Sequence, residues 1–200
     1  MKMPRRQAVL LGLLQALGKE VLRTKLVKLT YLLDNFRFEQ IGQPMTDLTY
    51  HWDHYGPNAV GNAITNDLAQ LSRQGLVIDI QKLTPYENYA NYYKVADSVQ
   101  AEDIPLTAQD WVFINVIVKR HGRMSREQIV RESKQTRPMQ GARQYQVLEF
   151  VPNPMAQDLK EAFYADADFV QQTRIGMTST DAPIDIEKLR GEVAKSTAPR

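Results

Sequence analysis

Three histidines, one serine close to a histidine, a run of amide side chains and a crowd of tyrosines are the residues whose types and spacing bear on chemistry. His51 and His54 flank Trp52-Asp53. On a helix, two imidazoles three positions apart would share a face and could share a metal. Leu48–His54 is rich in Thr, Tyr and Trp and reads as a strand or extended segment, where positions three apart face opposite ways. No second ligand pair at metal spacing accompanies them, and the third histidine, His121, stands alone. The chain has no cysteine, which removes disulfides, thiolate zinc sites and a cysteine nucleophile. Ser125 follows His121-Gly122, but there is no Gly-x-Ser-x-Gly elbow, and with Glu127 and Gln128 after it Ser125 reads as a helix N-cap. The ten glycines are scattered singly, so no glycine-rich loop opens a helix to cradle phosphate. The carboxylate pairs Asp166/Asp168 and Glu102/Asp103 read as a solvated helix end and a linker. The expectation is a protein without catalytic residues, metal site or cofactor, and so not an enzyme.

Binding chemistry is better represented. Asn58, Asn62, Asn66, Gln70 and Arg73 lie on one expected helix, and Asn, Gln and Arg are side chains that read adenine and guanine edges. The same stretch carries Asp67 and no lysine, and the expected wing at Lys82–Asn91 has one lysine and one glutamate. That is a poor grip on phosphates, and the net charge of +2 supplies no broad basic footprint. Tyr86, Tyr89, Tyr92 and Tyr93 crowd one hairpin, whose two alternating faces must share them. One reading packs them against the second half of the chain. The other leaves an aromatic face for a protein partner, with Tyr86, Tyr89 and Tyr92 as its contacts.

The elements that must position these residues follow from periodicity and punctuation. Leu10, Leu13, Leu14 and Leu17 predict a helix over Gln7–Leu17, stopped by Gly18. Thr24 is expected to cap a second helix to about Gln40, with Leu26, Leu29, Leu32, Leu33 and Phe36 inward and Lys25, Lys28 and Arg37 mostly off that stripe. Gly42 ends it and Pro44 prevents its resumption. After the Leu48–His54 segment and Gly56-Pro57, a helix over Asn58–Arg73 is expected, with Val60, Ile64, Leu68 and Leu71 inward. Leu76–Leu83 and Tyr89–Val95 read as a hairpin about a turn at Pro85. Gln100–Pro105 is a linker, Thr107 caps a strongly apolar helix through Val118 that Gly122 stops, and Ser125 starts another to about Gln135. Thr136-Arg137-Pro138 breaks it. Gly141–Phe150 is ambiguous between helix and strand, Ala156–Gln172 reads as a last helix, and the segment from Ile175 reads as a loose tail with a short helix at Ile184–Val193. The fold class is mainly α within α+β, a helical domain with a small winged-helix-like β-hairpin. Its parts are an N-terminal helical module with the hairpin at 1–99, a second helical part packed on it at 104–174, and a flexible tail at 175–200.

An apolar fraction of 43% and a charged fraction of 24% over 200 residues fit a globular protein that buries a core without staples. Ala8–Leu14 behind Lys2, Arg5 and Arg6 is too short for a signal peptide, is interrupted by Gln15 and Gly18, and has no cleavage site. No stretch reaches the length of a membrane span, which places the protein in the cytoplasm with no membrane partner.

Two blocks carry a resemblance. Lys25-Leu26-Val27-Lys28-Leu29-Thr30-Tyr31-Leu32-Leu33-Asp34 is followed by Gly42-Gln43-Pro44 and by Tyr50-His51-Trp52-Asp53-His54-Tyr55-Gly56-Pro57. This resembles the signature of the Panacea-domain antitoxins, which include the SocA-like antitoxins and related phage-associated proteins: a KLxKLxY helix, Gly-x-Pro, then an aromatic segment closing on Gly-Pro. Arg126–Pro138 resembles the family's later helix and its Thr-x-Pro break, so the likeness runs roughly from Ala8 to Arg143. Asn58 stands where the family usually has a small apolar residue, and Met139 where an aromatic often follows. The resemblance implies a type II antitoxin that neutralises a cognate protein toxin by direct binding, with delivery to a protease as the mode in the SocA branch. It assigns the signature residues Lys25, Lys28, Leu29, Tyr31, Gly42, Pro44, Tyr50, Trp52, Gly56 and Pro57 to the domain's fold rather than to toxin contact. The order of elements leaves an alternative, a winged-helix DNA-binding transcription regulator.

Overall fold

Leucines at helical spacing make α1 (Arg5–Leu17), which ends at Gly18, where φ is +61° and the N–H bonds back to the Leu14 and Gln15 carbonyls. The structure is a computed structural model and describes residues 3–84 and 88–152. A two-residue strand, β1 (Val21–Leu22), comes next and was not legible in the sequence. It shifts the start of α2 (Arg23–Ile41). Thr24 is not the cap; Leu22 is, without a side-chain bond, because pairing with a later strand holds the chain extended up to Leu22. Every residue of α2 from Leu26 to Asn35 is buried, so this helix is the axis of the molecule, with α1, α4 and α5 against it. Gly42 closes it in the left-handed region at φ +73°.

The expected helix from Asn58 begins five residues late. Residues 56–59 instead form a strand. β2 (Tyr50–Asp53) and β3 (Gly56–Ala59) are an antiparallel hairpin joined by His54-Tyr55, paired from Tyr50↔Ala59 to Asp53↔Gly56. Gly61 at φ +65° and Asn62 at φ +55° then break any helical continuation, and α3 spans Ala63–Arg73. Val60, expected inward, is therefore on the surface. β4 (Val77–Leu83) and β5 (Tyr89–Val95) form the expected hairpin in unbroken register, and β1 pairs with β5 to complete a sheet of order β1-β5-β4.

In the second half, α4 (Ala108–His121) is capped reciprocally by Thr107 and Asp110, and α5 (Arg126–Lys134) by Ser125 and Gln128. Thr136-Arg137-Pro138 does interrupt the helix, but Pro138 sits in the first turn of a new one, α6 (Arg137–Gly141), where a missing N–H does no harm. The ambiguous stretch resolves as β6 (Val147–Leu148), which pairs with Tyr50 and His51 in a second sheet of order β3-β2-β6. The expected helix at Ala156–Gln172 and the tail lie outside the described residues. Among the described residues no helix is long and apolar enough to cross a membrane.

One apolar cluster draws on both halves, from Leu10, Leu14, Leu29 and Leu33 to Ile114, Ile117, Ile129 and Leu148. α1 and α4 meet at Gly12, where a Cβ would lie 2.6 Å from Leu106 Cδ1 and 2.8 Å from Ile114 Cδ1. Ion pairs fix the N-terminal end of α1. Arg5 holds buried Asp110 of α4 through two bonds of 2.9 and 2.6 Å, and Arg6 pairs with buried Asp67 of α3.

Candidate functional site

The signature residues converge on α2. Lys25, Lys28, Tyr31 and Asp34 follow one another at intervals of three, so successive side chains stand about one turn apart and drift around the helix. Each meets a different neighbour. Lys25 Nζ donates to the carbonyls of Gly122 at 2.7 Å and Met124 at 2.6 Å, tying α2 to the link between α4 and α5. Lys28 Nζ donates to the Pro57 carbonyl of β3 at 2.6 Å. Tyr31 shares a 2.6 Å hydrogen bond with Thr136 Oγ1, and its ring meets Tyr50 edge-on and stacks with Phe150. Asp34 accepts from the Thr46 N–H at 2.7 Å, the Thr46 hydroxyl at 2.5 Å and the Tyr50 hydroxyl at 2.7 Å.

The remaining signature positions complete this seam. Leu29 is fully buried in the core. Gly42 provides the left-handed end of α2, and the Pro44 carbonyl accepts from Arg37 Nη1 at 2.7 Å. Trp52 bonds to the β6 side of its sheet, its N–H to the Gln146 carbonyl at 2.9 Å and its carbonyl to the Tyr145 N–H at 2.7 Å. Gly56, at φ +89°, lets β3 approach α5: a Cβ there would lie 3.3 Å from Ser133 Oγ and from Lys134 Cγ. Thr46 and Ser133 had not been singled out from sequence, and Asp34 and Thr136 appeared only as the end of the signature run and as a helix break. Asp34 was findable, since it continues the three-residue spacing of Lys25, Lys28 and Tyr31. Thr46 and Thr136 lie 12 and 105 positions from their partners and carry no local signal.

Burial governs the electrostatics of the seam. It pushes the Asp34 carboxyl up to about 6 against three hydrogen bonds that pull it down, and the Lys28 amine down to about 8. It raises Tyr31 to about 12 and Tyr50 well above the ordinary phenol value. In an open cleft, a carboxyl near 6 and an amine near 8 would suit acid–base work. Here Asp34 is 0% exposed and Lys28 3%, and each already holds the seam's own groups. The arrangement clamps α2 to both β2–β3 and the second half of the chain.

The other sequence candidates are dispersed. Tyr89 is 71% exposed near the end of the β4–β5 hairpin. Tyr92, three positions on, faces the opposite side of the strand, is half-buried, and carries Lys82 Nζ 5.0 Å above its ring. Tyr93 is buried opposite Val21, and Tyr86 lies outside the described residues. Of the amide side chains considered for DNA, Gln70 accepts from Gln7 at 2.8 Å, Asn66 donates to the Gly61 carbonyl and Asn58 donates to Asp53. His51 lies on β2 and His54 in the exposed turn, and among the described residues no three metal-ligating side chains come together. Ser125 is occupied by capping: it accepts from the Gln128 N–H and donates to Glu127.

Residues 26–138, from the signature helix to the Thr-x-Pro corner, match the family model described as antitoxin SocA-like, Panacea domain. No curated protein and no solved structure matches the chain.

Proposed function

The chain belongs to the SocA-like, Panacea-domain antitoxin family, and we propose that it is the antitoxin of a type II pair, neutralising a cognate protein toxin in the cytoplasm by binding it directly. The observation that carries this reading is the family match over residues 26–138, from within α2 to Pro138, which includes Lys28, Tyr31, Asp34, Thr46, Pro57 and Thr136. The geometry adds a reason to look for the toxin contact elsewhere. The polar groups of Lys25, Lys28, Tyr31 and Asp34 are consumed internally, in bonds to Gly122, Pro57, Thr136 and Thr46. Recognition then falls to exposed side chains, Tyr89 of the β4–β5 hairpin among them. α4 and α5 pack on α2, so the described parts of the two expected halves act as one unit here, and residues 153–174 lie outside the described residues. The action is binding rather than catalysis.

The winged-helix alternative would read DNA through α3. It is weakened by the engagement of Gln70, Asn66 and Asp67 with α1 and with the turn before α3. The test is a growth assay. The adjacent open reading frame is expressed from an inducible promoter in a surrogate host, with and without this protein. The expected result is a neighbour that stops growth alone and colonies restored by co-expression. Flanking genes that are both harmless would remove the main support for neutralisation.

A further inference from the structure

The tip of the β2–β3 hairpin lies over α5, and between them runs an open groove of about 620 Å³, lined by Tyr55, Arg126, Glu127, Val130, Arg131 and Lys134. Its charge is lopsided. Arg126, Arg131 and Lys134 are exposed, and among the described residues none of the three forms an ion pair with a carboxylate. The one acid, Glu127, is held by the Ser125 hydroxyl at 3.0 Å. The imbalance extends beyond the groove: from Lys119 to Arg143 the sequence has eight lysines and arginines against Glu127 and Glu132, in a chain whose total is only +2. Such a concentration on one region attracts anionic partners and speeds their encounter.

Aromatic groups accompany the cations. Tyr55 is 57% exposed, and the Arg126 guanidinium sits 5.6 Å from its ring centre. Beside the same hairpin tip, Gln144 lies 3.5 Å from His54, and the next residue, Tyr145, is 70% exposed with φ at +68°. A tyrosine in the left-handed region is strained, and the ring of this one stands in solvent. Exposed tyrosine with arginine is the composition of protein interface centres. Single-stranded nucleic acid would instead need open ring faces within the groove on which to stack bases; Arg126 already occupies one face of Tyr55, and the open ring of Tyr145 is not part of the groove's lining. The groove is also short, since α5 is nine residues, about 13 Å long.

We propose that this groove is a docking site for an acidic segment of a partner protein, which under the neutralisation reading is the toxin. Carboxylates of the segment pair with Arg131 and Lys134, and an apolar side chain settles on Val130 beside Tyr55. The site deepens the neutralisation reading and rests on it for the partner's identity, but not for the chemistry it recognises.

The test uses the full chain and a fluorescent acidic peptide, (Glu-Glu-Leu)4, read by anisotropy, with a single-stranded dT oligonucleotide of matched charge as the rival probe. The expected result is peptide binding that weakens at least tenfold in the double variant R131E/K134E, weakens at least threefold in R131Q/K134Q, and is unchanged in L83S, at an exposed position of β4. Circular dichroism melts confirm that each variant folds. Peptide that fails to bind, or binds the double variant as well as the parent, overturns the proposal, as does an oligonucleotide that binds more tightly than the peptide. Rescue of growth separates the two ideas. If the parent rescues and R131E/K134E does too, the groove is not the toxin site. If the parent does not rescue yet the peptide results hold, the neutralisation reading falls and the acidic-segment site stands.

Discussion

The two hairpins are built from similar material, aromatic runs punctuated by glycine and proline, and they have opposite fates. β2–β3 is short, its tip rests on α5, and Tyr50, Gly56, Pro57 and Ala59 are buried. Its polar atoms are answered from α2, by Lys28 at the Pro57 carbonyl and Asp34 at the Tyr50 hydroxyl. β4–β5 has seven-residue strands anchored only at the base by Val77, Tyr93 and Val95, while Ile78, Leu83 and Tyr89 stand in solvent. The contrast teaches that a hairpin's role is decided by what faces it. The first is fixed by side-chain partners from a distant helix, and the second by backbone pairing with β1 and by the packing of its base on α1 and α3.

The largest expected effect strikes the first hairpin. Asp34→Ala leaves the Thr46 N–H, the Thr46 hydroxyl and the Tyr50 hydroxyl without their acceptor, and urea unfolding should show a loss on the order of 3 kcal/mol. A loss under about 1 kcal/mol would mean that the seam does not hold β2–β3.

Titration of Asp34 gives the next effect. Its folded-state value lies above the ordinary 3.8, at about 6. Its contribution to stability is therefore complete below the unfolded value and lost as pH rises through about 6. Between about pH 7.5 and about pH 4.5 the parent should gain roughly 2 kcal/mol relative to Asp34→Asn, which cannot titrate there. Parallel stability curves for the two proteins would contradict this burial.

Gly56→Ala combines a left-handed backbone with a Cβ pressed on Ser133 and Lys134, and should cost about 1–2 kcal/mol by thermal melt. An unchanged melting temperature would show that β3 can withdraw from α5. Smallest of all is Tyr89→Ser on the second hairpin, where stability should stay within about 0.5 kcal/mol because the ring is exposed. A larger loss would mean that the Tyr89 ring is covered in solution.

Much of the frame was legible in the sequence. The leucine spacing of α1 and α2, the glycine stops at 18 and 42 and the reciprocal caps at Thr107 and Ser125 are local signals, and local chemistry produced those features. The burial of Lys28 was not legible, for a physical reason. A lysine off the leucine stripe is ordinarily solvated, but α2 is covered on all sides, so its amine turns to a carbonyl instead. β1 and β3 were missed and β6 was left ambiguous between helix and strand, because strands of two to four residues exist only through their pairing partners, such as Tyr93 for Val21 and Tyr50 for Leu148. The basic groove was missed because its residues come from Tyr55 and from α5, 71 or more positions apart, and a net charge of +2 conceals their concentration.

The most direct test of the account is an amide hydrogen-exchange footprint of the full chain, alone and bound to the purified product of the neighbouring toxic gene. Binding through exposed side chains on a fixed frame predicts new protection at the His54-Tyr55 turn and along Arg126–Lys134, with α2 between Lys28 and Asp34 unchanged. New protection or deprotection centred on Lys28–Asp34, with α5 unaltered, would contradict it by making the signature itself the binding element.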